Sequence, residues 1–450
     1  MINFRKRIAT TVLACCTAGS LCTGLPHAHS VSELTAQAAG TYQVEALNRG
    51  ISAVSTGSGM LVSWRFLAND PDQTVFRLYR DNQLIYTSEQ NMATCYLDAG
   101  GSAASAYRVD AVVDGKVVNS STCTMQSGAA YFDLPLDQPT SSGCTYSPND
   151  CTVGDVDGDG EYELFVKWDP SNSQDNSKAG KTDKVYIDCY KFNGKKLWRI
   201  DLGYNIRAGA HYPQMLVADF DLDGKAELTC KTADGTKDGT GKVIGDGSKS
   251  YRNSKGYILD GPEYYTLFDG ATGAALDTVN YNPPRGTVSS WGDKYGNRCD
   301  RYLGAVAYLD GERPSAITVR GYYTRMTACA YDVVNKKLVQ RWFFDSGNSS
   351  SSPGYGDGNH NCMPADDGKQ ELVLGSTCLD DDGSVLWCLN RGHGDAMHLG
   401  DFLPERKGLE LWICHEDKPY GVSLVDASNG KIIFHKDGGG DTGRCCVGRQ

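Results

Sequence analysis

The sequence predicts an all-β protein, a small β-sandwich followed by a β-propeller. Three observations lead there. Glycine (52) and tyrosine (25) are abundant while apolar residues at helical spacing are hard to find, as expected of many strands joined by turns. A strand–turn–strand unit recurs from about residue 129 onwards, and recurrence over tens of residues marks a repeat architecture. Two near-identical acidic loops, starting at Asp155 and Asp219, each run into an apolar strand. A chain of 450 residues is too long for one ordinary domain but suits a repeat fold.

Residues 1–30 read as an export signal. Arg5, Lys6 and Arg7 form its charged start, Ile8 to Leu25 its mostly apolar stretch, and Ala28 and Ser30 its small cleavage residues. Thr, Ser and Cys dilute the apolar run, and no later run could span a bilayer, so a secreted protein without a membrane anchor is expected. The net charge of -11 excludes nucleic acid, which needs a basic stripe, and is compatible with cation binding. Of 17 cysteines, Cys15, Cys16 and Cys22 belong to the leader. Export permits disulfides, and Cys95 with Cys123 and Cys144 with Cys151 are the candidate pairs, with buried thiols as the alternative.

Residues 41–128 carry strand-like runs at Met60–Trp64, Phe76–Arg80 and Tyr107–Val113. Turn signals at Asn69-Asp70-Pro71, Asp81-Asn82, Gly100-Gly101 and Asp114-Gly115 separate them. The Ser63-Trp64 and Phe76-x-Leu78-Tyr79-Arg80-Asp81 pattern is similar to fibronectin type III modules, for which a structural or docking role is expected.

Residues 129–450 hold the repeat. Its hairpins are Cys189–Trp198, Leu267–Leu276, Ala330–Leu338, Leu379–Trp387 and Leu424–Ile433. Upstream of each lies an acidic or Gly-rich loop and a strand, at positions 155, 219, 310, 366 and 401. Such units cannot bury both faces alone and must stack radially. Five are visible where the chain ends, so a propeller incomplete at its C-terminus is expected. The Gly-, Asp- and Lys-rich insertion between Thr232 and Tyr257 is expected on the functional face.

The two acidic loops place carboxylates at alternate positions followed by a turn-forming glycine, which gathers oxygens around one hard cation. Candidate calcium ligands are Asp155, Asp157, Asp159, Glu161 and Glu163 in the first loop, and Asp219, Asp221, Asp223, Lys225 and Glu227 in the second. The flanking helices and twelfth-position Glu of an EF-hand are missing. His360, His393, His398 and His415 crowd into repeat-start loops beside Gly, Asn and Asp, which predicts a functional face. Imidazole is an unusual calcium ligand, so proton handling or substrate contact is weighed equally for these histidines. Asp395, His398 and Asp401 are further candidate metal ligands. Trp64, Trp198, Trp342 and Trp387 sit within apolar strands and are expected in cores or seams.

Several longer motifs carry a family resemblance. Trp168-Asp169-Pro170-Ser171-Asn172-Ser173, Ile206–Tyr212, Lys231–Gly241, Pro284-Arg285-Gly286, Ser290–Asp293, Leu309–Ser315, Arg320–Arg325 and Gly392–His398 resemble the bacterial rhamnogalacturonan lyases with a propeller fold, polysaccharide lyase family eleven. The likeness runs from about Ala46 to Arg444. It implies an eight-bladed propeller, calcium dependence, and extracellular cleavage of the rhamnose–galacturonate bond of rhamnogalacturonan I by β-elimination. It favours His360 and His393 as active-site members and Asn149 and Asp169 as sugar contacts. The family's fourth acidic loop is shortened here to Ala365–Glu371.

β-Elimination removes the C5 proton of a uronate and expels the sugar at O4. Its carboxylate must be neutralised, and a base must take the proton. Arginine forks match carboxylates at two points, which makes Arg444 the leading cationic candidate, with Lys231 and Arg285 as substrate contacts. A monomer acting on pectic polysaccharide is the expectation. The alternatives are a calcium-stabilised propeller that binds pectic sugar without cleaving it, and an adhesion propeller of the integrin type.

Overall fold

The computed structural model describes residues 42–90, 92–348, 354–359, 362–365 and 368–447. The export signal, His360 and Asp366 therefore lie outside the described residues. The described part is built almost wholly of strands, arranged as seven four-stranded sheets. No helix among the described residues is long and apolar enough to cross a membrane.

Two sheets form the N-terminal unit. One runs Cys95–Asp98, Gly59–Ser63, Ser52–Thr56, Met125–Ser127, its last pair parallel. The other runs Gln83–Thr87, Val75–Arg80, Tyr107–Val113, Lys116–Thr122. Alternate residues of both sheets (Ala53, Met60 and Val62 from one, Phe76, Leu78 and Val109 from the other) share one core with Trp64. Arg49 is buried against the Asp70 carboxylate, which satisfies both charges where water is excluded.

The remaining five sheets are antiparallel meanders in strict chain order. The first is Tyr146–Gly154, Glu163–Pro170, Tyr186–Lys191, Lys196–Asp201; the second is Met215–Ala218, Glu227–Ala233, Glu263–Phe268, Ala275–Asn280. The third is Tyr302–Ala307, Ser315–Arg320, Thr327–Val334, Lys337–Asp345. The fourth is Met363–Pro364, Leu372–Val373, Thr377–Leu379, Val385–Cys388, and the fifth Met397–Gly400, Glu410–His415, Gly421–Asp426, Ile432–Lys436. The hairpins read from the sequence are the third and fourth strands of each. The acidic loops join the first strand to the second.

Each meander buries a face against the next, so the core is a series of seams. Phe165, Ile187 and Ile200 of the first meet Leu228, Cys230 and Phe268 of the second. Ala330 and Phe344 of the third meet Leu372 and Leu379 of the fourth, and Val373 and Trp387 of the fourth meet Leu411 and Ile413 of the fifth. Tryptophans on fourth strands tie three of these seams. The indole N–H of Trp198 donates to Gly270 O (2.7 Å), that of Trp342 to Asp381 O (2.9 Å), and that of Trp387 to Ala427 O (2.8 Å). Each acceptor lies in the hairpin turn of the following meander. A glycine in that turn faces the indole: a Cβ added to Gly273, Gly383 or Gly430 would come within 2.7–2.9 Å of the ring, and all three have positive φ.

This topology separates two ends in each meander. The acidic loops lie at the end where the first strand stops. Asp169, Lys231, Arg320 and His415 lie at the other end, where the second strand stops, and Arg301 precedes a first strand there. The insertion after Thr232 leaves the second meander at that same end and is pinned by Tyr251 and Tyr264, both donating to Asp234. The segment Tyr42–Arg49 crosses the acidic-loop end, with Asn48 N donating to Gly160 O and Gln43 N to Glu312 O, both at 2.8 Å.

All fourteen cysteines from Cys95 to Cys446 are free thiols. The sequence pairings are not made. Cys123 Sγ donates to Ile51 O and Met125 O while Cys95 is exposed on a sheet edge, and Cys151 Sγ turns to Asn149 O, 3.6 Å away.

Candidate active site

The fifth meander brings together His393, Asp395 and Glu416. The first two precede the strand Met397–Gly400 and the third follows Glu410–His415, so antiparallel pairing of these strands sets them side by side. One donor atom from each lies within 4.8 Å of the others. His393 is buried, its Nδ1 2.8 Å from Asp357 O and its Nε2 3.5 Å from an Asp395 oxygen. Donation of Nδ1–H to that carbonyl leaves the Nε2 lone pair facing the carboxylates, the arrangement that orients an imidazole for a cation or a proton. Burial lowers the His393 pKa below its ordinary value.

Glu416 completes the group. Its Oε2 accepts from the Tyr323 hydroxyl at 3.1 Å. Burial, then the charge of Asp395, pushes it up to about 7, against the hydrogen bond from Tyr323. Tyr323 also lies against the His393 ring, with centroids 4.5 Å apart, and Tyr322 packs beside it at 5.4 Å. Sequence reasoning missed Glu416, although it adjoins His415. The signal was its place at the end of a second strand, where Asp169 and Asp234 lie in earlier meanders.

Cationic groups border the cluster. Arg444 Nη1 lies 3.4 Å from Asp395 Oδ2 with its side chain three-quarters exposed. The Arg301 guanidinium lies 4.0 Å over the Tyr322 ring, and its charge is felt by both His393 and His211. Burial, then Arg301, pushes His211 down to about 4, so its imidazole is neutral at physiological pH. Its Nε2 lies 3.7 Å from Asp175.

The first meander supplies another group. A bulge between Val166 and Trp168 pushes Asn149 and Asp150 out of register, and the buried Lys167 ammonium pairs with Asp150. Asp169 follows at the strand's end, its pKa raised by burial.

Lys231 and Arg285 are placed differently from expectation. Both are buried on one carboxylate, Glu263, at 3.0 and 2.9 Å, and Arg320 joins them at 2.9 Å. Tyr302 donates to the same carboxylate at 3.0 Å. Burial works against the Glu263 charge, but Arg320, Lys231 and Arg285 outweigh it and hold the carboxyl well below the usual range. This network joins the second and third meanders, and removing one partner would leave a buried charge exposed to its like.

His398 and Asp401 fall outside the cluster. His398 Nε2 lies 2.9 Å from Cys445 O. Asp401 lies beyond the other end of the strand Met397–Gly400, where Glu410 accepts from Phe402 N and Leu403 N. The first two acidic loops fold as the spacing predicts. Asp155 accepts from Gly158 N and Gly160 N, and Asp219 from Asp223 N and Gly224 N. Asp155, Asp157 and Glu163 converge in one loop, and Asp219, Asp221, Asp223 and Glu227 in the other. Oxygen-only donors of this kind suit a hard cation. The side chains of Asp159, Glu161 and Lys225 belong to neither convergent set.

An all-strand chain of successive meanders, with a carboxylate–imidazole cluster at one end and acidic loops at the other, matches one family. The model described as "Rhamnogalacturonan lyase family 11, C-terminal domain" matches residues 131–449, and "Rhamnogalacturonan I lyases beta-sheet domain" matches residues 42–126. The chain belongs to rhamnogalacturonan lyase family 11 and is thereby a polysaccharide lyase.

Among curated relatives it is 50% identical to the rhamnogalacturonan endolyase YesW of Bacillus subtilis, over 99% of this chain and 72% of that one. It is 51% identical to the rhamnogalacturonan exolyase YesX of the same organism, over 89% of this chain and 68% of that one. The crystal structure of YesX superposes with a TM-score of 0.82 at 50% identity, covering 90% of this chain and 69% of that one. A family 11 lyase of Bacillus licheniformis gives 0.82 at the same identity, covering 90% and 71%.

Proposed function

We propose that this protein is a secreted, calcium-dependent lyase that cleaves the rhamnose–galacturonate bond of rhamnogalacturonan I by β-elimination. Convergence of His393, Asp395 and Glu416 beside Tyr323, Arg301 and Arg444 carries the reading, because uronate elimination needs positive charge at the substrate carboxylate, and this group could hold a cation with two arginines nearby. The activities of the family 11 relatives support it. The five meanders are read as successive blades of a propeller, since Met215–Ala218 lies against both Tyr146–Gly154 and Tyr302–Ala307. The N-terminal unit is read as a fibronectin type III-like module.

Calcium fits two places by donor chemistry. The oxygen-only loop at Asp219 would hold it structurally, the Asp155 loop less readily because the Lys191 ammonium already lies among its carboxylates, and Asp395 and Glu416, with His393, would hold it at the site. Bound there, the ion supplies positive charge to a uronate carboxylate. Arg301 and Arg444 add charge for the same carboxylate, and Asn149 and Asp169 offer polar contacts for the neighbouring sugar. The Asp357 carbonyl fixes the His393 ring, and Tyr323 orients Glu416.

The deciding experiment incubates the protein with rhamnogalacturonan I and calcium and follows the ultraviolet absorbance of the unsaturated product. The absorbance is expected to rise, and Glu416→Gln, which removes an anionic oxygen from the group that would hold the ion, is expected to slow it by about ten- to a hundredfold. Binding of the polysaccharide by correctly folded protein without any rise would sink the lyase reading.

A further inference from the structure

The last described segment of the chain returns across the fifth meander as a strap. Gly438 N donates to Pro419 O, Thr442 N to His415 O, and Thr442 Oγ1 accepts from Gly421 N. Arg444 then reaches Asp395, and Cys445 O meets His398. These are a handful of mostly peripheral hydrogen bonds, each worth about 1 kcal/mol. The strap nonetheless carries Arg444, which reaches Asp395 of the His393 group.

Two thiols meet under it. Cys414 is buried on the strand Glu410–His415, and its Sγ lies 3.4 Å from Ala396 O. Cys445 Sγ, half-buried on the strap, lies 3.6 Å from the same oxygen. No other cysteine pair among the described residues shares an acceptor in this way.

We propose that Cys414 and Cys445 form a disulfide that clamps the strap, and with it Arg444, onto the active-site end of the fifth meander. The half-exposed Cys445 meets a small external disulfide, such as oxidised glutathione, and its thiolate displaces one small thiol. The Cys414 sulfur then attacks Cys445 Sγ, forming the protein disulfide and expelling the second small thiol. Both protein thiol protons leave with those products, and the small disulfide is the species reduced. Formation of the bond stands on this geometry alone, and only its effect on turnover rests on the proposed function.

The test treats the full chain with oxidised glutathione, blocks remaining thiols in acid, and maps peptides without reduction. The expected product is a peptide joining Cys414 to Cys445, two hydrogens lighter than its parts and released by dithiothreitol. Amide exchange at Gly438 and Thr442 is expected to slow by about tenfold in the oxidised form, because the strap can no longer open freely. Cys445→Ser should abolish both the linked peptide and the slowing while leaving Cys414 as a blockable thiol. Cys414 remaining fully blockable in oxidised wild-type protein, or Cys445 pairing with Cys446, overturns the clamp. A linked peptide in a protein that never cleaves the polysaccharide would keep the clamp and remove the lyase reading; cleavage without the linked peptide would do the reverse.

Discussion

The first and second acidic loops have the same carboxylate spacing and the same fold, yet opposite electrostatics. In the first, the Lys191 ammonium sits among the carboxylates, 2.7 Å from Asp157, 3.1 Å from Asp159 and 3.3 Å from Glu163. In the second, the nearest ammonium is that of Lys336, 3.4 Å from Asp223 and 3.8 Å from Asp221 on a half-exposed side chain. The register explains the difference. Lys191 pairs with Glu163 across the sheet. In the second meander Leu228 pairs with Phe268, and the next residue outward is Asp269, whose charge adds to that on Asp221. One position on the third strand thus turns from ammonium to carboxylate. The first loop carries part of its counter-charge within the chain; the second has only the half-exposed Lys336.

The acid strengths follow. Asp159 lies below its ordinary value: burial opposes its charge, but the Glu161 amide and Lys191 outweigh that, whereas burial still raises Glu163 against the Val156 amide and Lys191. Burial pushes Asp219 up to about 6, and burial with the Asp221 charge pushes Glu227 up to about 9. A bound divalent ion would reverse the second set by supplying the missing positive field.

The largest expected effect is a pH dependence confined to the cation-free protein. Both groups in the second loop hold protons more tightly folded than unfolded, so their contribution is complete below about pH 4 and is lost as pH rises towards 9. Folding stability in chelator should therefore fall between about pH 5 and 8, by up to roughly 1.4 kcal/mol per unit from each titrating group. With calcium present the slope should flatten. A metal-free stability that rises across that window in denaturant titrations would break the contrast.

Chelation at neutral pH comes next. At a calcium concentration about a hundredfold above its Kd, withdrawal should cost about 2.7 kcal/mol, read as a fall in Tm. Hydrogen exchange should accelerate first over Met215–Asn280. Equal loosening of Tyr146–Asp201 would show that Lys191 does not substitute for an ion.

Asp269→Lys should convert the second loop towards the first. Calorimetric titration is expected to find one fewer calcium ion, and the chelation effect should shrink by about 1–2 kcal/mol. Lys191→Met is the smallest change expected, because that side chain and its partners Asp157 and Asp159 are partly exposed to water. Its metal-free loss is about 1 kcal/mol after allowance for screening, and added calcium should recover it. Failure of calcium to recover it would mean that the first loop takes no ion even when emptied of its lysine.

Much of the fold was legible because it repeats. The five hairpins and the loops before them show period-two apolar runs broken by Asp, Asn and Gly, and these signals are local. The seam tryptophans were legible as apolar strand residues, but not the turn carbonyls that receive their N–H groups. The site was less legible. Lys231 and Arg285 look like free cations in sequence and are consumed by Glu263, a residue no motif marks. Glu416 lacks a motif of its own and becomes part of a cluster only through the pairing of Met397–Gly400 with Glu410–His415. His398, five residues from His393, was grouped with it by sequence proximity, but the intervening backbone carries it towards Cys445.

By itself the sequence determined the strands, the turns between them and the acidic loops, because each depends on residues within a few positions of one another. Tertiary structure alone decided which charges are compensated and which face a ligand. That outcome is set by strand register and by the approach of neighbouring meanders, where a single pairing, Glu163 with Lys191, leaves one loop partly neutralised and its twin the more anionic of the two.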